Sequence, residues 1–170
     1  MATVTETAVY APDQPVAYVP ASRNEVVKVV VLGVIVGLAV PLLSLLLENY
    51  FIKPVFCNGG DGFSICASGG VVANHIAAII VAFAAFAVLM HWTVYRALLL
   101  VIAATVAMWG IKKYADPLTV GSWMEYYLFS ALLYALSYAL FYWILRLRNF
   151  VVSIIIMIVA VVAAAWAMVA

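Results

Sequence analysis

Long uncharged apolar stretches separated by short polar segments organise this chain. Residues 29–47, 71–90, 97–111, 126–145 and 150–170 contain no Asp, Glu, Lys or Arg. An apolar bilayer interior about 30 Å thick is crossed by about 20 helical residues, and only structures that satisfy their own backbone can cross it. The pattern therefore predicts an all-α, polytopic transmembrane helical bundle of about five spans, near 26–47, 71–91, 94–112, 123–146 and 150–170. These form one transmembrane domain over 22–170, behind a disordered N-terminal tail over 1–21. The third span is short, and its flanking Arg96 and Lys112 must snorkel to reach water.

Helix-start signals and aromatic positions agree with these boundaries. Ser22 with Glu25, and Ser122 with Glu125, have the spacing in which a hydroxyl caps the third helical residue and the carboxylate reaches back. Trp prefers the headgroup level, where its ring is dry and its N–H wet. Trp92 and Trp143 would mark one surface, and Trp109, Trp123 and Trp166 the other. Small residues predict the helix contacts. Gly33 and Gly37, followed by Pro41, form a close-approach face that then bends the first span, while Ala78 and Ala82, with Ala77 and Ala85, form one on the second. The expected use is tight contact between spans one and two, and the alternative is a surface for another subunit. Ala160 and Ala163 to Ala165 offer a further small-residue stretch.

Composition turns this pattern into exclusions. The 170 residues are 69% hydrophobic and 9% charged, against about 25% charged in soluble domains. A net charge of +1, with eight scattered Lys and Arg, gives no field for nucleic acid. The tail holds Pro12, Pro15 and Pro20 and lacks the apolar segment of a cleaved signal, so the first span is expected to act as the signal. Its Tyr10-to-Pro12 and Tyr18-to-Pro20 elements suit a disordered tail better than a docking motif.

Orientation follows from the positive residues. With the N-terminus in the cytoplasm, Arg23, Lys28, Arg96, Arg146 and Arg148 lie inside and Lys53, Lys112 and Lys113 outside. The C-terminus is then extracytoplasmic, and Cys57 and Cys66 fall on the oxidising side. The Gly-rich turn between them, flanked by short apolar pieces, reads as a hairpin whose base a Cys57–Cys66 disulfide would staple. Closing so short a loop stabilises by roughly 2 to 3 kcal/mol. A quinone-coupled thiol oxidoreductase would instead show a Cys-x-x-Cys pair and a second cysteine pair. With Asp61 the sole carboxylate of this turn, calcium is not expected there.

Candidate chemistry is sparse. Asn74 and His75 form the best polar pair, suited to a headgroup, a quinone carbonyl or pH sensing, although a helix contact for Asn74 and an interfacial place for His75 explain them as well. His91 lies on the same helix as His75, about 24 Å away, so the two cannot share a haem. No metal-ligand spacing and no cofactor motif occurs. The fourth span carries Tyr127, Ser130, Tyr134, Ser137, Tyr138 and Phe141 on one face. That face would line a site for a lipophilic or small solute, or satisfy its hydroxyls in the bundle core. Glu125 falls on the opposite face at the rim, and no ionisable residue occupies mid-span, which argues against a pump or proton-coupled carrier.

These observations predict a non-catalytic accessory or structural subunit of a larger membrane assembly, with lipid and other subunits or further copies as partners. A transporter component or binding protein using Asn74, His75, Tyr127, Tyr134 and Tyr138 is the second reading. A thiol or quinone oxidoreductase is the third.

Overall fold

In a computed structural model, residues 22–56, 63–94, 96–111 and 122–167 are described, with the side chains of 56, 63–68, 123 and 167 excepted. Every described element is helical. α1 (Arg23–Leu47) continues through a π-helical turn, Glu48–Ile52, into α2 (Lys53–Phe56). Then follow α3 (Phe63–His91), α4 (Ala97–Ala107), α5 (Trp123–Leu145) and α6 (Phe150–Ala167). The tail over 1–21 lies outside the described residues.

Three helical stretches, Arg23–Val55, Gly69–His91 and Met124–Leu145, are long and apolar enough to cross a membrane. α4 and α6 are apolar but shorter. At 1.5 Å per residue, 11 residues of α4 cover about 16 Å and 18 of α6 about 27 Å. The chain is thus an all-helical membrane protein with three full-length candidate spans among the described residues.

Two expectations are corrected. The first helix does not stop near residue 47 but runs unbroken through Pro41 and on to Phe56. A π-turn places residues five apart on one face. Lys53 accordingly lies 3.3 Å from the Glu48 carboxylate and donates to Asn49 Oδ1 at 3.0 Å, which sustains the extension. The piece before the Gly-rich turn is therefore helical. So is the piece after it, because α3 starts at Phe63, eight residues before the expected 71. No hairpin strands flank the turn. Cys57 lies outside the described residues and only the backbone of Cys66 is described, so the proposed pairing falls outside the described region.

Both predicted hydroxyl caps form: Ser22 Oγ accepts from the Glu25 N–H at 3.2 Å, and Ser122 Oγ from the Glu125 N–H at 3.4 Å. The Glu25 carboxylate, however, turns to α5.

α1 runs antiparallel to both α3 and α5. Ile52 and Lys28 of α1 meet Gly69 and Trp92 of α3, while Gly33 and Gly37 meet Ala135 and Ala131 of α5. Trp109 at the end of α4 meets His75, the thirteenth of the 29 residues of α3. One pole therefore gathers the start of α1, the end of α3, the start of α4, the end of α5 and the start of α6. α1 is the hub, packed chiefly on α5 and then on α3, whereas α6 touches α4 and α5.

Along the middle of α3 the size distribution is inverted relative to a water-soluble core. On α3, Ala73, Ala77, Ala78 and Ala85 are buried while Val72, Ile76, Ile79, Ile80 and Phe83 face outward. Lipid tails are as apolar as leucine, so burying large side chains gives no drive in a bilayer. Close backbone approach through small residues does.

Candidate functional site

The side chains richest in chemistry lie on one stripe of α5. Ser130, Tyr134, Tyr138, Tyr142 and Arg146 follow one another at four-residue intervals, and all are buried. Such spacing keeps residues on one helix face. The face points at α1, which meets it with glycines. A Cβ at Gly37 would stand 2.6 Å from the Ala131 Cα and 2.7 Å from the Ser130 carbonyl oxygen. A Cβ at Gly33 would stand 2.9 Å from the Ala135 Cα and 3.1 Å from the Tyr138 Cβ. Backbone touches backbone here, leaving no cleft between α1 and the middle of the stripe.

The glycine face therefore serves α5, where contact with span two was expected. Ala78 is buried and Ala82 half-buried on α3, in the core that α1 shares. The residues facing Gly33 and Gly37 on α5, Ala131 and Ala135, are themselves small, which is why the two backbones meet. Each lies one residue after a stripe member, so the stripe carries its own small-residue face.

Ser130 Oγ and Tyr138 OH are buried without a hydrogen-bond partner among the described residues, as is Asn74 Oδ1 on α3. A buried polar group without a partner costs about 1 to 3 kcal/mol. Removing the Tyr138 hydroxyl should therefore relieve a penalty. Tyr138→Phe is expected to leave thermal stability in detergent unchanged or raised, and a loss of more than about 1 kcal/mol would show that a partner occupies the hydroxyl.

At the pole where α5 ends, the stripe becomes charged. Tyr142 OH donates to Glu25 Oε2 at 3.0 Å, and Arg146 Nη2 donates to the same oxygen at 3.3 Å. The Arg146 guanidinium also lies over the Tyr142 ring, 4.9 Å from its centroid. The last carbonyls of a helix lack intrahelical donors. Two other elements supply them for α5. Arg96, held in the left-handed region at φ 55°, donates from Nη1 to the Leu145 carbonyl at 3.3 Å, and Ser153 Oγ donates to the Ile144 carbonyl at 3.0 Å. A cation there also complements the helix dipole. The Arg96 guanidinium lies 4.7 Å from the Phe150 ring centroid, tying α4 to α6.

Asn74 and His75 lie farther along the bundle, on the half of α3 nearer the other pole. His75 Nε2 lies 3.3 Å from the Trp109 carbonyl, and its ring stacks on the Trp109 indole with centroids 4.3 Å apart at 14°. Asn74 is buried beside it in sequence but on another face. Projected through the α1 contacts, Asn74 lies about 18 Å along the bundle axis from Tyr134 and about 24 Å from Tyr138. Half-buried Tyr127 sits nearer, its ring 6.2 Å from that of Tyr126. The five residues expected to share a ligand thus occupy two seams at different depths. Among the described residues no three of His, Cys, Asp and Glu come together.

The Glu25–Tyr142–Arg146 cluster was missed because Glu25 already had a role as a cap and Arg146 one as an orienting charge. The signal was present: Tyr142 and Arg146 continue the four-residue spacing past Phe141. Comparisons with known protein families, with curated proteins and with solved structures give no match for this chain.

Proposed function

We propose that this chain is a non-catalytic, structural or accessory subunit of a larger membrane assembly. The observation that carries the reading is the closed α1–α5 seam, where Gly33 and Gly37 bring α1 to within contact of the α5 backbone. The polar face best equipped for chemistry is thereby engaged in holding helices together. What remains outward is aliphatic: Val31, Ile35, Leu38 and Leu42 on α1, and Ile155, Val159 and Val162 on α6. That surface suits lipid and other membrane helices. A tagged chain drawn from its own membrane after mild crosslinking should bring a stoichiometric protein with it. Recovery of the chain alone contradicts the proposal.

In this reading all five apolar helices cross, with the N-terminus cytoplasmic and the C-terminus outside. The course of α4 supports it: Arg96 meets Leu145 at one pole and Trp109 meets His75 farther along α3, so α4 runs away from that pole into the bundle. Cysteine accessibility tests it on a background with Cys57 and Cys66 replaced by serine. Lys113→Cys should react with an impermeant maleimide in intact cells, and Arg148→Cys only after the membrane is opened. Protection of Lys113→Cys in intact cells, with labelling of Arg148→Cys, would mean that α4 does not cross. This orientation puts Cys57 and Cys66 on the outer side, where we propose that they form a disulfide, and alkylation of the unreduced chain should leave both thiols unmodified.

The unpartnered hydroxyls of Ser130 and Tyr138 favour a second reading, a binding or transporter component for a small or lipophilic solute. It requires that Tyr134→Phe combined with Tyr138→Phe abolish retention of a copurifying small molecule. Unchanged retention removes it.

A further inference from the structure

We infer that the start of α1 binds an anionic phospholipid, with the phosphate held by Arg23 and Lys28 and an acyl chain lying along the outer face of α1. The inference rests on the membrane fold alone and holds whether or not the chain has a partner subunit.

The charge distribution selects an anion. Arg23, Lys28, Arg96, Arg146 and Arg148 all stand at the pole where α1 begins, and Glu25 is the one acid there among the described residues. Its carboxylate is turned toward Tyr142 and Arg146. Arg96 and Arg146 are held inward by Leu145 and Glu25, which leaves Arg148 exposed beyond α5 and Arg23 and Lys28 exposed together on adjacent rows of α1. Between them lies a shallow, open cleft on the surface of α1, lined by Arg23, Asn24, Val27 and Lys28. Lys28 Nζ is steadied over the Trp92 ring, 5.9 Å from its centroid. Trp at a span end marks headgroup depth, so this cation sits at the level of lipid phosphates. Basic pockets of this kind at the ends of spanning helices take anionic headgroups.

The surface below the cleft distinguishes a lipid from a soluble phosphate. Val27, Val31, Ile35, Leu38 and Leu42 follow at three- and four-residue intervals beneath Arg23, and all are exposed. A free phosphate would use only the two cations. A phospholipid uses the cations and this apolar stripe together.

The test is native mass spectrometry of the full chain in nonionic detergent with equimolar phosphatidylglycerol and phosphatidylcholine. The wild-type chain should retain phosphatidylglycerol preferentially. Arg23→Gln with Lys28→Gln should weaken that preference about thirtyfold, given two surface cations. Arg148→Gln, which removes an exposed charge at the same pole away from the cleft, should weaken it by less than about fivefold. Both variants alter exposed positions, and circular dichroism should show wild-type helicity. Equal loss in the two variants would reduce the effect to general charge and overturn the site, as would phosphatidylglycerol retention unchanged in the double variant. Displacement of phosphatidylglycerol by an equal concentration of glycerol phosphate would assign the cleft to a soluble phosphate and overturn the lipid.

Discussion

Replacing Gly37 by leucine is expected to abolish the cooperative unfolding transition of the detergent-solubilised chain. The reason is that the obstruction is backbone. A Cβ at this position meets the Ala131 Cα at 2.6 Å, the Ser130 carbonyl oxygen at 2.7 Å and the Ala131 N at 3.0 Å, and none of these can rotate away. Relief requires the two helices to separate along their whole contact. Alanine gives a graded version. Overpacking costs about 1 to 3 kcal/mol, while Gly→Ala in a helix interior returns about 1 kcal/mol of propensity. At Gly37 the clash should win, and Gly37→Ala should destabilise by about 1 to 2 kcal/mol. At Gly33 the nearest distances are 2.9 and 3.1 Å, so the two terms should nearly cancel. At Gly69 the nearest atom is the Ile52 Cγ2 at 3.0 Å, a side-chain end that can move, and Gly69→Ala should be neutral or stabilising. Thermal unfolding of the three alanine variants checks the order. Equal effects at Gly37 and Gly69 would mean that the α1–α5 seam is not the tightest contact in the bundle.

The second large effect is expected at the Glu25–Arg146 pair. Arg146 is only 4% exposed, so its guanidinium depends on the groups around it, whereas the Glu25 side chain is 49% exposed. Removing one partner of a fully buried pair costs about 3 to 5 kcal/mol. Water reaches Glu25, so Glu25→Ala should cost less, about 1 to 3 kcal/mol. Tyr142→Phe deletes one hydrogen bond to the same oxygen and should cost about 1 kcal/mol. The diagnostic variant is the double one. Arg146→Leu removes the charge that Glu25→Ala strands, so the combined change should destabilise by less than the sum of the two singles. A double-mutant cycle measures that coupling, expected at about 1 to 3 kcal/mol. Additive effects would show that the two charges act independently despite their 3.3 Å separation.

Much of the architecture was legible in one dimension because bilayer thickness imposes a length on apolar stretches. The hydroxyl caps of α1 and α5 were read from Ser22 and Ser122, and Ala97–Ala107 was recognisable as the short helix from its flanking charges. What the pattern could not give was partner choice. A Gly-x-x-x-Gly face announces close approach but not to which helix. Span two offered Ala78 and Ala82, and only the fold reveals that Ala131 and Ala135 lie opposite the glycines. The extension of α1 past Leu47 was hidden for another reason. Hydropathy ends where charge begins, but Glu48 and Lys53 pair with each other and so sustain the helix beyond the apolar stretch. The same limit split the candidate site. Asn74 and Tyr138 both look like polar residues in spans, and sequence spacing within each helix carries no information about their relative depth.

Arg96 illustrates how a connection can be structural rather than merely linking. It adopts φ 55°, and Thr93 in the same turn adopts φ 54°, in the left-handed region where branched residues are strained. That geometry delivers a guanidinium to the carbonyl end of α5 and the face of Phe150, joining three helices through one side chain. Together with the Glu25–Tyr142–Arg146 cluster and Ser153, it accounts for most of the polar chemistry at this pole as helix assembly.

The central claim is that the polar stripe of α5 holds the bundle while the outer aliphatic faces meet other membrane components. Native mass spectrometry of the chain extracted gently from its own membrane tests this most directly, comparing wild type with Tyr138→Phe. The account predicts a particle of fixed mass containing the chain and at least one further protein chain, unchanged by the substitution. A lone monomer carrying a small molecule that Tyr138→Phe removes would contradict it.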